Sequence, residues 1–302
     1  MNNRADQDAR VFIIDASIFI FKYYFSMPSH WHADNGRPTE TVYGYTRWLW
    51  EFLSQVEPAR VIACFDESLT TCFRNDIYPE YKKSRALPDD DLAFQLLACK
   101  RITQLFGIRC YASEKYEADD LIGSCAQLCQ SQKVPVTILS NDKDLAQLLR
   151  LPSSHLWNYP ADDPLNEKDI YQKMAVWPQQ IPDYLALLGD VSDDIPGVPG
   201  VGKKTAAQLL NHFLSWSAMK ENLHDIHSLP IRGAQSLEKK IIEYASQIDM
   251  ALKLTTIACD AIAITIEDTC RQAGDWIALV GLLRGLGLPE SFCQRMENKK
   301  EL

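Results

Sequence analysis

Nine carboxylates, spread over five separate stretches, set the condition that any fold of this sequence must meet. They are Asp15, Asp66, the cluster of Glu117, Asp119 and Asp120, the pair Asp142 and Asp144, and the pair Asp190 and Asp193. Brought together they repel one another: two like charges ~5 Å apart cost roughly 3 kcal/mol at an effective dielectric of about 20. Such a nest is tolerable only if cations sit in it or several of its pKa values rise. Oxygen-only ligands of this kind suit Mg²⁺ or Mn²⁺. Taken singly, each acid has a plainer reading, because helix N-termini attract acids that cap amides and favour the macrodipole. Asp15 by itself reads as a cap on the helix that follows it. Five such stations on one edge are much harder to obtain by capping, so the set reads as a metal site.

The order of local patterns explains how distant acids could meet. VFIID (11–15), VIACFD (61–66), IRCYA (108–112), VTILS (136–140) and HLWNY (155–159) have the apolar, β-rich character of strands. Helical stretches lie between them near 39–55, 89–106, 117–132 and 142–150. This alternation predicts an α/β fold with a mostly parallel sheet covered by helices. Asp15 and Asp66 close their strands, Asp142 follows another, and Glu117 opens the helix after the third. Ligands of an open parallel sheet bind beyond the carboxyl ends of its strands, so these acids share one edge. On a regular helix Glu117 and Asp120 share a face whereas Glu117 and Asp119 do not, so two metal ligands at 117 and 119 require an irregular first turn. From Asn166 onward the pattern becomes short helices punctuated by Pro178, Pro182, Pro196 and Pro199. We expect an α/β core over residues 1–175 and a helical part over 176–302.

Net charge is −9, which weighs against nucleic acid as a partner only until the acidic nest is set aside. Nine cysteines with no Cys-x-x-Cys pair and no histidine at zinc spacing read as reduced thiols of a cytoplasmic protein. Residues Met1 to Arg10 are polar, and the apolar run 11–25 is broken by Asp15 and Lys22, which fits neither a signal peptide nor a membrane span. We expect a monomer that works away from membranes.

Two further segments carry chemistry. Between Asp66 and the helix near 89, aromatic residues alternate with cations: Phe73-Arg74, Tyr78, Tyr81-Lys82-Lys83 and Arg85. Cations meet phosphates and rings stack on bases, so Arg74, Tyr81, Lys82, Lys83 and Arg85 are candidate contacts to a single strand, although a solvated loop has the same composition. A cation beside metals could also neutralise a phosphate in the transition state. The second segment, Ile195-Pro-Gly-Val-Pro-Gly-Val-Gly-Lys-Lys-Thr-Ala206, is a tight turn opening a helix. Gly200 and Gly202 permit close backbone approach, and the helix N-terminus with Lys203 and Lys204 offers a phosphate site. The segment from about 181 to 213 thus reads as a helix–hairpin–helix that binds duplex without base specificity.

Together these residues resemble a 5′-nuclease of the flap-endonuclease type, similar to the 5′–3′ exonuclease domain of bacterial DNA polymerase I. The stretches that carry the likeness are FIIDASIFIFKYYFSMP, TVYGYTR, FRNDIYPEYKKSRALPDDD, YEADDLIG, LSNDKDLAQLL and DYLALLGDVSDDIPGVPGVGKKTAAQLL. The resemblance implies a PIN-like sheet with a helical arch at about 67–90 and a helix–three-turn–helix element. It implies hydrolysis of branched or 5′-flapped DNA in replication or repair, with two Mg²⁺ ions for which Mn²⁺ substitutes. The nine acids fall on the family's metal-site carboxylates, and Lys82 and Arg85 on its contacts to the scissile phosphate, so Lys82, Arg85 and Asp119 are the candidate catalytic residues. One ion is expected on Glu117, Asp119 and Asp66 and the other on Asp142, Asp144 and Asp193, with Asp15, Asp120 and Asp190 holding waters. A monovalent cation, K⁺, is implied on the carbonyls of Pro196, Val198 and Val201. Two departures stand out: Asp194 replaces the usual asparagine, and Glu67 and Ser68 lengthen the entry to the arch. With no polymerase segment after Leu302, the chain reads as a free-standing paralogue. A binding-only protein, a phosphatase with Asp15 as nucleophile and a PIN-type ribonuclease are the rivals. The phosphatase usually needs Asp-x-Asp, whereas position 17 is serine.

Overall fold

The structure, a computed structural model, describes residues 10–68 and 71–298. The polar segment 1–9, positions 69 and 70 of the expected arch, and residues 299–302 lie outside the described residues.

Five strands form one sheet: β1 (Val11–Asp15), β2 (Val61–Asp66), β3 (Arg109–Ser113), β4 (Val136–Leu139) and β5 (His155–Trp157). Their order is β3-β2-β1-β4-β5 and every pairing is parallel. The chain runs outward from β1 to β3, then crosses back to β4 on the other side of β1. The gap between the ends of β1 and β4 is therefore the switch point, where an open α/β sheet has its natural crevice.

Alternate residues of each strand feed two cores, one on each face of the sheet. Val11, Ile13, Ile62, Cys64 and Ile138 face one core, while Phe12, Ile14, Val61, Ala63 and Leu139 face the other. The second face is covered by α1 (Ala16–Ser26), α2 (Glu40–Val56) and α4 (Asp90–Leu105). In α2 the residues Val42, Tyr45, Leu49, Phe52 and Leu53 are buried, the three-and-four spacing of an amphipathic helix. Helices α12 (Trp276–Gly285) and α13 (Glu290–Asn298) join this face through Leu279, Leu283, Phe292 and Met296.

The first face takes α5 (Ala118–Ser131) and most of the C-terminal half. That half contains α6 (Glu167–Met174), α7 (Ile181–Leu188), α8 (Lys203–Phe213), α9 (Trp216–Glu221), α10 (Ala234–Glu243) and α11 (Ala245–Thr255). Between β2 and α4, where an arch is expected, the described residues form the short helix α3 (Phe73–Ile77) and then a string of turns through residue 85. The helix expected at 142–150 is a single 3₁₀ stretch, Asp144–Leu148. Its start is tightened by Asp142, whose Oδ1 accepts the Asp144 amide at 2.9 Å. Ser140, at the end of the VTILS run, has already left β4. No helix among the described residues is long and apolar enough to cross a membrane, and all nine cysteines are free.

Candidate active site

At the C-terminal edge of the sheet, two serines knit the strand ends together. Ser17, in the first turn of α1, accepts the Asp66 amide on its Oγ at 2.8 Å. Ser140 donates its hydroxyl to Asp15 Oδ2 at 2.8 Å and accepts the Asp142 amide at 3.0 Å. Ser68 donates to Asp66 Oδ1. None of these serines stands out as a site residue in the sequence alone. Their signal is position, since each lies within two residues of an acid at a strand end. These bonds fix Asp15, Asp66 and Asp142 as a row across β2, β1 and β4.

Glu117 precedes α5 in an extended conformation (φ −74°, ψ 164°) and occupies its N-cap position. The irregularity required at 117 and 119 is thus the helix start itself: Glu117 stands outside the helical rotation while Asp119 lies in the first turn. The loop after α7 supplies Asp190 and Asp193. Its ends are paired by the backbone bonds between Asp190 and Ile195, and Asp190 Oδ1 caps Ser192. Glu117, Asp119, Asp144, Asp190 and Asp193 line one small cleft together with Arg74 and Tyr81.

The acids pay for their proximity in protonation. Burial, helped by Asp142 and Asp66 nearby, lifts the Asp15 carboxyl to about 7. Burial and the charges of Asp142, Asp190 and Asp193 lift Asp144 to about 8. Asp119 is pushed well above the usual carboxylate range by burial, Asp142 and Asp15. Asp66 and Asp142 are raised as well, mainly by burial. Glu117 goes the other way: burial would raise it, but Lys82 and Arg74 outweigh burial and hold it low. The charges responsible come from separate stretches: Asp142 acts on Asp15, Asp119 and Asp144, and Asp190 and Asp193 act on Asp142 and Asp144.

Asp120, expected to hold a water of the metal set, has its carboxylate turned to Arg74 and two backbone amides. Its Oδ1 accepts from Arg74 Nη2 and the Ala258 amide, at 2.8 and 2.9 Å. Its Oδ2 accepts from Arg74 Nη1 and the Glu117 amide, at 2.7 and 3.1 Å. Both oxygens are committed, and the side chain is fully buried. Arg74, a candidate strand contact by sequence, is buried, and it also donates to the carbonyls of Leu254 and Thr256. Tyr81 is buried too, and donates its hydroxyl to Glu117 Oε2 (2.9 Å) and Asp193 Oδ2 (3.2 Å). The aromatic-and-cation pattern of this segment thus serves the acids as much as the solvent side.

Lys82 and Arg85 do reach the carboxylates. Lys82 Nζ donates to Glu117 Oε1 at 2.5 Å and lies 3.6 Å from Asp193 Oδ2. Arg85 Nη2 donates to Asp193 Oδ1 at 2.5 Å, with half of its side chain exposed. Lys83 turns outward and pairs with Glu80. Among the described residues, no group of three acids, histidines or cysteines stands at metal-holding distances. The Lys82 ammonium stands between two of the carboxylates that line the cleft, Glu117 and Asp193. The donor set nevertheless has the chemistry of a hard divalent site, since it offers carboxylate oxygens and neither thiolate nor imidazole.

The hairpin lies between α7 and α8. Gly200 adopts φ +83°, and Gly202 forms the N-cap of α8 with open space beside it. Lys203 and Lys204 follow, both exposed. Behind the turn, Gln247 donates to the carbonyls of Pro196 and Gly197, and Lys240 Nζ donates to the Pro199 carbonyl at 3.0 Å. The Val198 carbonyl accepts the Val201 amide.

Comparison with known proteins gives these arrangements a context. Residues 10–176 match the family described as 5′-3′ exonuclease, N-terminal resolvase-like domain, and residues 176–276 match 5′-3′ exonuclease, C-terminal SAM fold. The chain is 31% identical over 296 residues to DNA polymerase I of Bacillus caldotenax, covering 96% of this chain but only 32% of that protein. It is 31% identical to the 5′-3′ exonuclease of Buchnera aphidicola subsp. Schizaphis graminum, covering 91% of this chain and 95% of the other. The 5′-3′ exonuclease of Aquifex aeolicus is 33% identical, with 80% and 84% covered. In fold it resembles T5 5′-exonuclease with bound zinc ions (TM-score 0.65, 17% identity, 97% and 100% covered). It also resembles the catalytic core of Rad2 in complex with DNA substrate (TM-score 0.64, 15% identity, 98% and 94% covered).

Proposed function

Since this chain belongs to the 5′-3′ exonuclease family, we propose that it is a divalent-metal-dependent nuclease that cuts DNA at 5′ ends or 5′ flaps, leaving 5′-phosphate and 3′-hydroxyl. The observation that carries this reading is the gathering of acids from five stretches at one sheet edge, with Lys82 and Arg85 laid over them. Glu117, Asp119 and Asp66 would hold one Mg²⁺ or Mn²⁺ ion and Asp142, Asp144 and Asp193 the other, with Asp15 and Asp190 ordering waters. When bound, such a pair supplies hydroxide near neutral pH and stabilises the leaving 3′ oxygen.

The chain's own residues do the rest. The carboxyls of Asp15, Asp119 and Asp144, held high by burial, give up protons as cations enter, which makes occupancy favour higher pH. Lys82 and Arg85 bring positive charge to the phosphate, where it offsets charge building on the non-bridging oxygens. Tyr81 and Arg74 keep Glu117 and the first turn of α5 in place from behind. The open amides at the start of α8, with Lys203 and Lys204, would grip a duplex phosphate away from the cut. A K⁺ ion on the carbonyls of Pro196, Val198 and Val201 would have a rival there, since Lys240 already brings a cation to the neighbouring Pro199 carbonyl. Free thiols throughout suit a reducing compartment, and we read the protein as a cytoplasmic monomer of DNA replication or repair.

One panel tests the reading: 5′-flap DNA, single-stranded RNA and a generic phosphate ester, each with Mg²⁺ and with chelator. We expect cleavage of the flap alone, abolished by chelator and restored by Mg²⁺ or Mn²⁺. Cleavage that survives chelation, or that prefers RNA or the simple ester, would overturn it.

A further inference from the structure

Two loops meet face to face above the acidic edge, joined not only through the Asp193 carboxylate but also by atoms outside the acidic set. From the turn at 82–85, the Lys82 amide donates to the Asp193 carbonyl at 3.0 Å and the Ser84 amide to Asp194 Oδ2 at 2.7 Å. Arg85 Nε donates to the Ser192 carbonyl at 3.2 Å. Each loop also holds one non-glycine residue in the left-handed region, Lys82 at φ +53° and Asp194 at φ +56°. That region costs an L-residue free energy, least for asparagine and aspartate, and it persists where surrounding contacts over-determine it. Here the contacts come from the facing loop.

We propose that Asp194 is a positioning residue for phosphodiester hydrolysis: its carboxylate clasps the Ser84 amide and so holds the turn that carries Lys82 and Arg85 over the cleft. The proposal rests on the nuclease reading above and assigns a task to a residue that touches neither the cleft nor the other acids' ligand atoms. An asparagine at this position keeps an oxygen that can accept the same N–H, whereas alanine and glycine do not.

Two measurements test it on the full chain: single-turnover cleavage of 5′-flap DNA in Mg²⁺, and amide hydrogen exchange over residues 78–86. Asp194→Ala is expected to slow the single-turnover rate roughly tenfold, with flap affinity held within about twofold, because a bond to a charged acceptor is lost from the turn and not from the substrate. Exchange at Ser84 should speed up by a similar factor. Asp194→Asn should restore both. Asp194→Gly separates the clasp from the backbone, since glycine accepts positive φ without cost; it should behave as the alanine variant does. Combined with Lys82→Ala, Asp194→Ala should add less than its full effect, because part of its action runs through Lys82. A wild-type rate in Asp194→Ala, recovery in Asp194→Gly, or unchanged exchange at Ser84 would overturn the proposal. Absence of cleavage by the unmodified protein would instead remove the nuclease reading, and the exchange arm would still decide whether Asp194 holds the turn.

Discussion

Arg74 shows what a single buried charge does in this molecule. Its guanidinium spans Asp120, Glu117 and two carbonyls of the 254–256 segment, and it joins α3, the start of α5 and the end of α11 in one fork. Arg74→Met would strand Asp120 without its partner in the interior, a loss of about 3–5 kcal/mol for a buried pair broken on one side. Thermal melting should register it, and a variant as stable as the parent would refute the anchoring role. Lys82 is a different case: its ammonium reaches Glu117 from a partly exposed position, so Lys82→Ala should fold normally while single-turnover cleavage falls roughly 10²-fold, the scale of losing one charge-stabilising donor. The acids predict a pH effect of definite sign. Burial lifts the carboxyl of Asp15 to about 7 and that of Asp144 to about 8 in the folded chain, against 3.8 for an unburied aspartate. The folded state therefore holds more protons than the unfolded one across that window, and stability falls as pH rises through it. In chelator, the melting temperature should drop between about pH 4 and pH 8, and Mg²⁺ should flatten the slope. A chelated protein that gains stability over that range would contradict the assembled nest.

At the scale of elements, the hairpin after α7 is the most tightly toleranced. A Cβ on Gly197 would lie 1.9 Å from the Leu188 carbonyl oxygen, which is backbone and cannot swing aside. Gly197→Ala should therefore displace the turn, lower stability and weaken duplex binding, while cleavage of a short single-stranded 5′ end suffers less. Equal losses on both substrates would show that the hairpin serves the core and not the duplex. The segment 73–85 teaches the limits of local reading. Its aromatic and basic residues have the pattern of a nucleic-acid contact, yet Arg74 and Tyr81 turn inward because the buried Asp120 and Glu117 and the half-buried Asp193 offer them partners. Nothing within the segment itself announces those partners. The 3₁₀ stretch at 144–148 is a similar case: its spacing is helical, but Asp142 caps it and Gln147, which donates to the Thr255 carbonyl, is claimed by the C-terminal half.

Across the whole molecule, the two halves are joined through a shared apolar cluster on one face of the sheet. Leu121, Ile122 and Cys125 of α5 belong to the same apolar cluster as Leu187, Leu210, Ile248 and Leu254. The 254–261 segment is stitched beneath α5 by the Ala258 amide on Asp120 and the Ala261 amide on Ser124. A chain cut after residue 176, where the two matched regions meet, would expose that cluster and leave Asp120 and Arg74 short of partners. It should lack a cooperative melt and near-ultraviolet circular dichroism; a sharp transition would show that the sheet stands alone. What the sequence by itself determined is the sheet, its parallel sense and the edge at which the acids collect, because strand and helix periodicities and acids at strand ends are local signals. What only the tertiary structure decided is which acids share the cleft and which serve the scaffold. Asp119 and Asp120 are neighbours in the chain, and a helical turn sends one toward Asp15 and Asp142 and the other to a buried arginine. That division depends on partners tens to more than a hundred residues away, such as Ala258 for Asp120, and no local pattern carries it.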